Sequence, residues 1–383
     1  MVFADTLLVF MLGLQFGQYR MMIDNSLRVF SGQMQVQASG YHDEPHMHRS
    51  IPAADKLAQA LRDNTQLDAV STRGYGFALV SSETRTLGAQ ISGVDPRHEP
   101  RVSTIPGLIK QGRYLEGTDS NEIVVGSILA RNLRIEPGDE LTILGSGRDG
   151  SIAATVTPVV GVFESGSRDM DRHMLSMPLD TFRDVFSMGD HAHSIVIGGE
   201  RDQSERIAAR ASTALQDRDA LQLLDWETLM PGLKQAIQAD FTSAWFMYAV
   251  LIVLVAFGML NTMLMSVLER THEFGLLLAL GVQHGKLGRM IITESALLAL
   301  IGMLLGMLAG GLVIWYFLVN GFSYPGMEEM GERFNIPSVL HPEVSLRSLL
   351  PGPLAVFIAT LLASLYPIWH MRKLRPIEAL QAV

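Results

Sequence analysis

The chain has 383 residues, enough for more than one domain, and a formal net charge of −9, which argues against a nucleic-acid partner. It has no cysteine, so disulfide and thiol chemistry are excluded. Its residues are 48% hydrophobic and its mean hydropathy is +0.22. That lies modestly above a soluble composition and fits a membrane protein with a large aqueous domain.

Thr6 to Phe16 is apolar but too short to span a bilayer alone. A signal peptide would need a basic start and a small-residue cleavage site. Asp5 is the only early charge and no A-x-A follows, so the run is expected to be a first membrane helix truncated at its leading end. Met22, Ile23, Leu27 and Phe30 keep helical spacing, which predicts a stalk ended by Gly32.

Residues 33–240 have the texture of a soluble domain. Gln33–Ala38 alternates as a strand, Pro52–Arg62 reads as a helix, and Ala69–Val80 with Thr84–Val94 as a strand pair. Pro96, Pro100, Pro106 and Gly107 mark a break where a subdomain could enter. Ile123–Val125 is a buried strand leading into a short helix with Leu129 and Leu133. The turn Pro137-Gly138-Asp139 then opens the strand Leu141–Leu144. Ser194–Ile197 and Leu221–Leu224 are strands on either side of an amphipathic helix, Gln203–Leu215. Trp226–Thr242 reads as one helix returning to the membrane.

Three uncharged runs, Ser243–Leu268, Ser295–Val319 and Ser348–Trp369, reach the roughly 20 residues a bilayer requires. Arg270, Lys286 and Arg289 follow the first run, and Arg372, Lys373 and Arg375 follow the last. Loop 320–347 carries Arg333 and Arg347 among Glu328, Glu329, Glu332 and Glu343. The basic bias predicts a cytoplasmic loop 269–294 and tail, with the large domain and loop 320–347 outside.

Between the first two runs lies Glu269 to Leu287, charged at its start, apolar in its middle and basic at its end. Leu276, Leu277, Leu280 and Leu287 fall at helical spacing, and Gly281 is placed to stop a short amphipathic helix. The stretch resembles the cytoplasmic loop of FtsX-like ABC transporter permeases, the class that includes the LolC/LolE lipoprotein-release subunits and the MacB exporter. That loop reads roughly E-R-x-x-E-I-G-x-x-R-A-L-G-A. Glu269, Arg270, Glu273, Phe274, Gly275, Ala279, Leu280 and Gly281 stand at matching positions. His272 and Leu278 stand where the family often has Arg, and Val282 where it often has Ala. Gly126, Leu129, Ala130, Leu133, Gly138 and Asp139 resemble the MacB-type periplasmic core. The tail, with Pro376, Glu378, Ala379 and Leu380, resembles the family's ending, and Pro376 would open a last short helix with Glu378 near its positive end.

The resemblance implies an α+β membrane protein with four transmembrane helices and a two-subdomain periplasmic domain. Residues 1–32 would be the first helix and stalk. Residues 33–240 would be the core domain, with 33–100 plus 190–225 porter-like around a sabre-like insert, 101–189. Residues 241–383 would hold spans 243–268, 291–319 and 348–370, the coupling helix 269–287 and the tail 371–383. Glu269, Arg270, Glu273, Phe274, Gly275, Leu280, Gly281, Pro376 and Glu378 would couple to an ATPase.

Other motifs have plainer readings. Gly145-Ser-Gly147-Arg-Asp-Gly150 is formally GxGxxG, but the Val- and Thr-rich run after it is a strand, so the motif reads as a hairpin turn. No G-x-x-x-x-G-K-[ST] occurs, so ATP and Mg are expected on a partner chain and no cofactor on this one. His42, Asp43, Glu44, His46 and His48 hold ligand types, but a solvated loop is expected and no metal site, and the same holds for His191 and His193. Gly302, Gly306 and Gly310 repeat every four residues, for helix packing inside the subunit or against a second permease. Met259, Met263, Met265, Met303 and Met307 line two spans, as ordinary packing or as a surface for acyl chains. No catalytic spacing stands out.

The expectation is a non-catalytic permease subunit in a bacterial inner membrane, with two copies of a separate ATPase and a second permease, a copy or a paralogue. By mechanotransmission it would move a lipoprotein, a lipid, a peptide or an amphiphilic drug. The alternative is an FtsX-like regulator of a cell-wall hydrolase.

Overall fold

The computed structural model describes residues 1–199, 203–215, 218–323, 325 and 339–371, the side chains of 65, 370 and 371 excepted. It divides into two units. One comprises Met1–Met21, Gln235–Met327 and Pro337–Val383, and the other Met22–Lys234 and Glu328–Ile336.

The first helix, α1 (Val2–Ser26), widens into a single π-type turn, Leu27–Ser31. Gly32 ends it at φ +68°, a backbone conformation that glycine adopts without penalty. The sheet domain follows: β1 (Met34–Ala38), α2 (Ala54–Thr65), β2 (Val70–Ser81), β3 (Thr86–Val94), α3 (Glu99–Val102), β4 (Ile109–Gly112), β5 (Ile123–Gly126), α4 (Ser127–Leu133), β6 (Glu140–Ser146) and β7 (Ile152–Phe163). After these come α5 (Arg168–His173), β8 (Met174–Pro178), α6 (Leu179–Val185), β9 (Ser194–Ile197), α7 (Ser204–Leu215), β10 (Leu221–Asp225) and α8 (Trp226–Leu229).

Among the described residues the strands form one sheet in the order β10-β1-β9-β2-β3-β8-β5-β7-β4, with β6 pairing with β2 and β7. Two cores cover it. Helices α2 and α7 lay Leu57, Leu61 and Ile207 on Val36, Val70, Ile195 and Ile197. Helices α4 and α6 pack Leu129, Leu133, Phe182 and Phe186 against Val80, Ile91, Ile143 and Leu175. Gly74 and Gly93, paired across β2 and β3, form the floor under the Phe182 ring, where a Cβ at either position would come within 2.5 Å of it.

Strand β2, 12 residues long, outreaches one helix layer and runs through both of these cores, and β3 packs in the second. The GxGxxG sequence is the turn between the antiparallel strands β6 and β7, where the Gly147 amide donates to the Ser151 carbonyl at 2.8 Å. His193 departs from the solvated-loop expectation. It is fully buried, its Nδ1 accepts from the Tyr75 amide (2.9 Å), and its Nε2 donates to the Met47 carbonyl (3.1 Å). Burial pushes its pKa down to about 4. In the loop before α2, Glu44 pairs with Arg49 and the His46 and His48 rings stack. Among the described residues, no three metal-ligand side chains converge.

The membrane unit holds α9 (Pro231–Glu269), α10 (Thr271–Ala279), α11 (His284–Asn320), α12 (Leu346–Leu349) and α13 (Pro351–Met371). Among the described residues, four stretches are long and apolar enough to cross a membrane: Val2–Ser31, Pro231–Glu269, His284–Asn320 and Leu346–Trp369. The expected single helix Trp226–Thr242 is broken. Met230 leaves helical angles (φ −128°, ψ 62°), and Pro231, which has no amide proton to give, starts α9.

Candidate functional site

The loop between α9 and α11 has few ways to hold a nine-residue helix in place. It uses one face and one end. Thr271, Phe274 and Gly275 are buried, while His272, Glu273, Leu276, Ala279 and Leu280 are exposed. Phe274 packs with Val267 of α9, Leu287 and Ile291 of α11 and Ile368 of α13, joined by Leu277, Leu278 and Val282. Burying an aromatic ring and three aliphatic side chains anchors a helix too short to be stable alone.

Its C-terminal end is fixed by a Schellman arrangement. The Val282 amide donates to the Leu277 carbonyl and the Gly281 amide to the Leu278 carbonyl, both at 3.0 Å. Gly281 sits at φ +91°, and Leu277 and Val282 make the apolar contact that accompanies this motif.

Arg270 reaches Glu294 of α11 at 3.3 Å and Glu273 at 3.5 Å, tying the start of α10 to a membrane helix. Beside this pair lies a cavity of about 130 Å³ lined by Met259, Met263, Ser266, Glu294 and Ser295. Half-exposed ion pairs of this kind contribute little stability, so this one fixes direction more than energy.

The structure therefore divides the sequence-predicted residues. Phe274, Gly275 and Gly281 hold α10 in place, and Glu269, Glu273 and Leu280 are exposed. Arg270 faces the subunit's own Glu294. The four leucines do not share one face: Leu276 (52% exposed) and Leu280 (75%) point outward, whereas Leu277 and Leu287 point inward. Leu278 and Val282, two of the departures from the family loop, belong to the anchoring cluster. Glu294 escaped the sequence reading, although a lone carboxylate one residue before an apolar run was a visible signal. Pro376 and Glu378 lie outside the described residues.

Gly302, Gly306 and Gly310 are buried on α11 against α1. A Cβ at these positions would approach the Met1 sulfur to 2.9 Å, the Asp5 Cβ to 2.3 Å and Val9 Cγ1 to 2.6 Å. The missing side chains let the two helix backbones meet closely. By contrast, much of α9 is exposed, including Trp245, Phe246, Leu254 and Phe257.

In the sheet domain, Phe77 (69% exposed), Leu79 and Leu144 form an apolar strip across β2 and β6, with Leu79 and Leu144 directly paired. Gly88, opposite Leu79 on β3, leaves the strip open on one side.

Comparison with known proteins covers both units. The model of the MacB-like periplasmic core domain matches residues 6–217, and that of the FtsX-like permease C-terminal region matches residues 245–376. The lipoprotein-releasing system transmembrane protein LolC of Xylella fastidiosa is 22% identical over 319 residues, 79% of this chain and 75% of that protein. The corresponding LolE of Haemophilus influenzae is 22% identical over 349 residues, 88% of this chain and 82% of that one. The periplasmic region of MacB from Actinobacillus actinomycetemcomitans covers 54% of this chain and 94% of its own, with TM-score 0.39 and 16% identity. With one family model spanning more than half of its residues and a second spanning the membrane helices, this chain belongs to the FtsX-like, MacB-type family of ABC transporter permeases.

Proposed function

We propose that this permease couples ATP hydrolysis on a separate ATPase to movement of its sheet domain, and so releases lipoproteins or another amphiphile from the bacterial inner membrane. The observation that carries the reading is the two-faced α10. One face is bound into the helix bundle through Phe274, while the other offers Glu273, Leu276 and Leu280 to a partner. A helix held on one side by α9, α11 and α13 passes a push on its free side to all three. Glu269 and Gly281 belong to the same contact, and Pro376 and Glu378 of the tail are proposed to serve the same partner.

The ATPase binds ATP and Mg, and this chain performs no chemistry. Two ATPases act on a pair of permeases, either two copies of this chain or a copy and a paralogue. The sheet domain faces the periplasm, and α10 faces the cytoplasm. A cargo with acyl chains is supported by the similarity to LolC and LolE and by the exposed strip Phe77, Leu79 and Leu144, an apolar surface suited to greasy chains.

The test is purification from native membranes with bound ATPase, comparing wild type with Glu273→Lys/Leu280→Asp. The double variant changes only exposed side chains, so it is expected to fold, to lose the ATPase and to lose coupled release. Retention of both would overturn the reading.

A further inference from the structure

The end of α1 carries carbonyls that no helical partner can satisfy. In the turn Leu27–Ser31 each of them is met by a different donor. Gly32 N–H binds Leu27 O (2.8 Å), Thr104 N–H binds Arg28 O (2.9 Å) and Ser103 Oγ binds Val29 O (2.7 Å). Arg73 Nη1 donates to Phe30 O, and Gln35 Nε2 to Ser31 O at 2.7 Å. Four of these donors come from the sheet domain: Gln35 of β1, Arg73 of β2, and Ser103 and Thr104 just after α3.

Arg73 is the centre. It is fully buried, with its guanidinium carbon 4.0 Å from the centre of the Phe30 ring. Glu99 holds it on two sides, accepting from Nη2 at 2.6 Å and Nε at 3.1 Å, and Ser71 donates to the same carboxylate. A cation at a helix C-terminus is also placed favourably for the helix dipole. Phe30 itself is packed among Val94, Ile105, Leu115, Val124, Phe163 and Met174.

The other connection is built differently. Strand β10 passes into the four-residue α8, which has no buried residue, and Met230 breaks the helix before Pro231.

We infer that the socket around Arg28–Ser31, with Arg73 as its positioning residue, is the rigid joint through which α1 drives the sheet domain, while Met230–Pro231 is the compliant one. The inference rests on the transport role proposed above and says where its force enters the domain.

The experiment uses the full chain in lipid nanodiscs. Arg73→Met/Glu99→Leu removes both charges and leaves neither stranded, so the domain is expected to fold. Hydrogen exchange at the Gly32 and Gln33 amides should then rise at least about 10-fold, while exchange at 228–236 stays unchanged. Ser103→Ala, a milder change, should raise the same exchange by about 3-fold. With the ATPase bound, ATP hydrolysis should stay within about twofold of wild type while cargo released per ATP falls at least about 10-fold. Arg73→Lys keeps the charge but cannot hold Glu99 and Phe30 O together, and should restore release only in part.

Unchanged exchange in both Arg73→Met/Glu99→Leu and Ser103→Ala overturns the joint. Raised exchange with undiminished release per ATP overturns its role in transmission. Absence of ATP-driven release in wild type overturns the transport reading, a separable result because the exchange measurement uses no nucleotide.

Discussion

The sheet domain is entered and left by helices whose ends are finished in opposite ways. At the entry, each carbonyl of a complete turn has its own hydrogen-bond donor, and a buried ion pair holds the one at Phe30. At the exit, the Asp225 side chain caps α8 through Thr228 N–H (3.0 Å) and Thr228 Oγ (2.7 Å), and a half-exposed pair, Lys234–Glu227, supports the next turn. Polar groups removed from water must be satisfied, and once satisfied they are costly to move. Groups left in water can exchange partners freely. Rigidity is therefore concentrated at one joint.

The largest contrast comes from breaking the entry alone. Arg73→Ala strands Glu99, which is 1% exposed, and is expected to cost about 3–5 kcal/mol in urea unfolding of the sheet domain. Arg73→Met/Glu99→Leu should instead stay within about 1.5 kcal/mol of wild type. Equal losses for the two would mean that the socket is held by packing and not by charge.

The second test lies at α10. Phe274→Ala should cost about 3 kcal/mol of the membrane unit's stability, read as a lowered melting temperature in detergent. Leu276→Ala on the opposite face should change it by less than about 0.5 kcal/mol. Comparable effects would remove the distinction between anchored and free faces.

A third measurement bears on the socket through His193. Its Nδ1 accepts from the Tyr75 amide, and the Tyr75 ring lies edge-on to Phe30 at 6.1 Å. Burial holds the folded pKa at about 4, below the ordinary histidine value of 6.5, so the stability contribution is present above pH 6.5 and lost as pH falls through 4. Up to about 3 kcal/mol should disappear across that window, with exchange near Gly32 rising and exchange at 228–236 steady. In His193→Gln the pH slope should flatten. The smallest effect belongs to the exit: Asp225→Ala should cost about 1 kcal/mol, with no change in release per ATP.

Much of the fold was legible in the sequence where a pattern had one dominant cause. The hairpins and the long apolar helices follow from alternation and from uninterrupted hydrophobic length. Strand β8 and helix α6 were not found, because Met-Leu-Ser-Met-Pro is buried on both faces and shows no alternation. The break at Met230 was hidden because Pro231 is as acceptable at a helix start as it is disruptive within one. At α10, spacing gave the helix and its stop but not which of its leucines turn inward. Which side was buried depended on Ile291 and Ile368, distant in sequence. The Arg73–Glu99 socket carried no local signal, since its members lie on β2, α3 and the end of α1.

The most direct test of the central claim is mass spectrometry of everything that stays bound to this chain when it is purified from native membranes in mild detergent. An ABC ATPase bound to wild type and absent from Glu273→Lys/Leu280→Asp, together with a lipoprotein or other amphiphile, is the predicted result. No ATPase under any nucleotide condition, or one that binds the double variant equally well, would contradict the role given to α10.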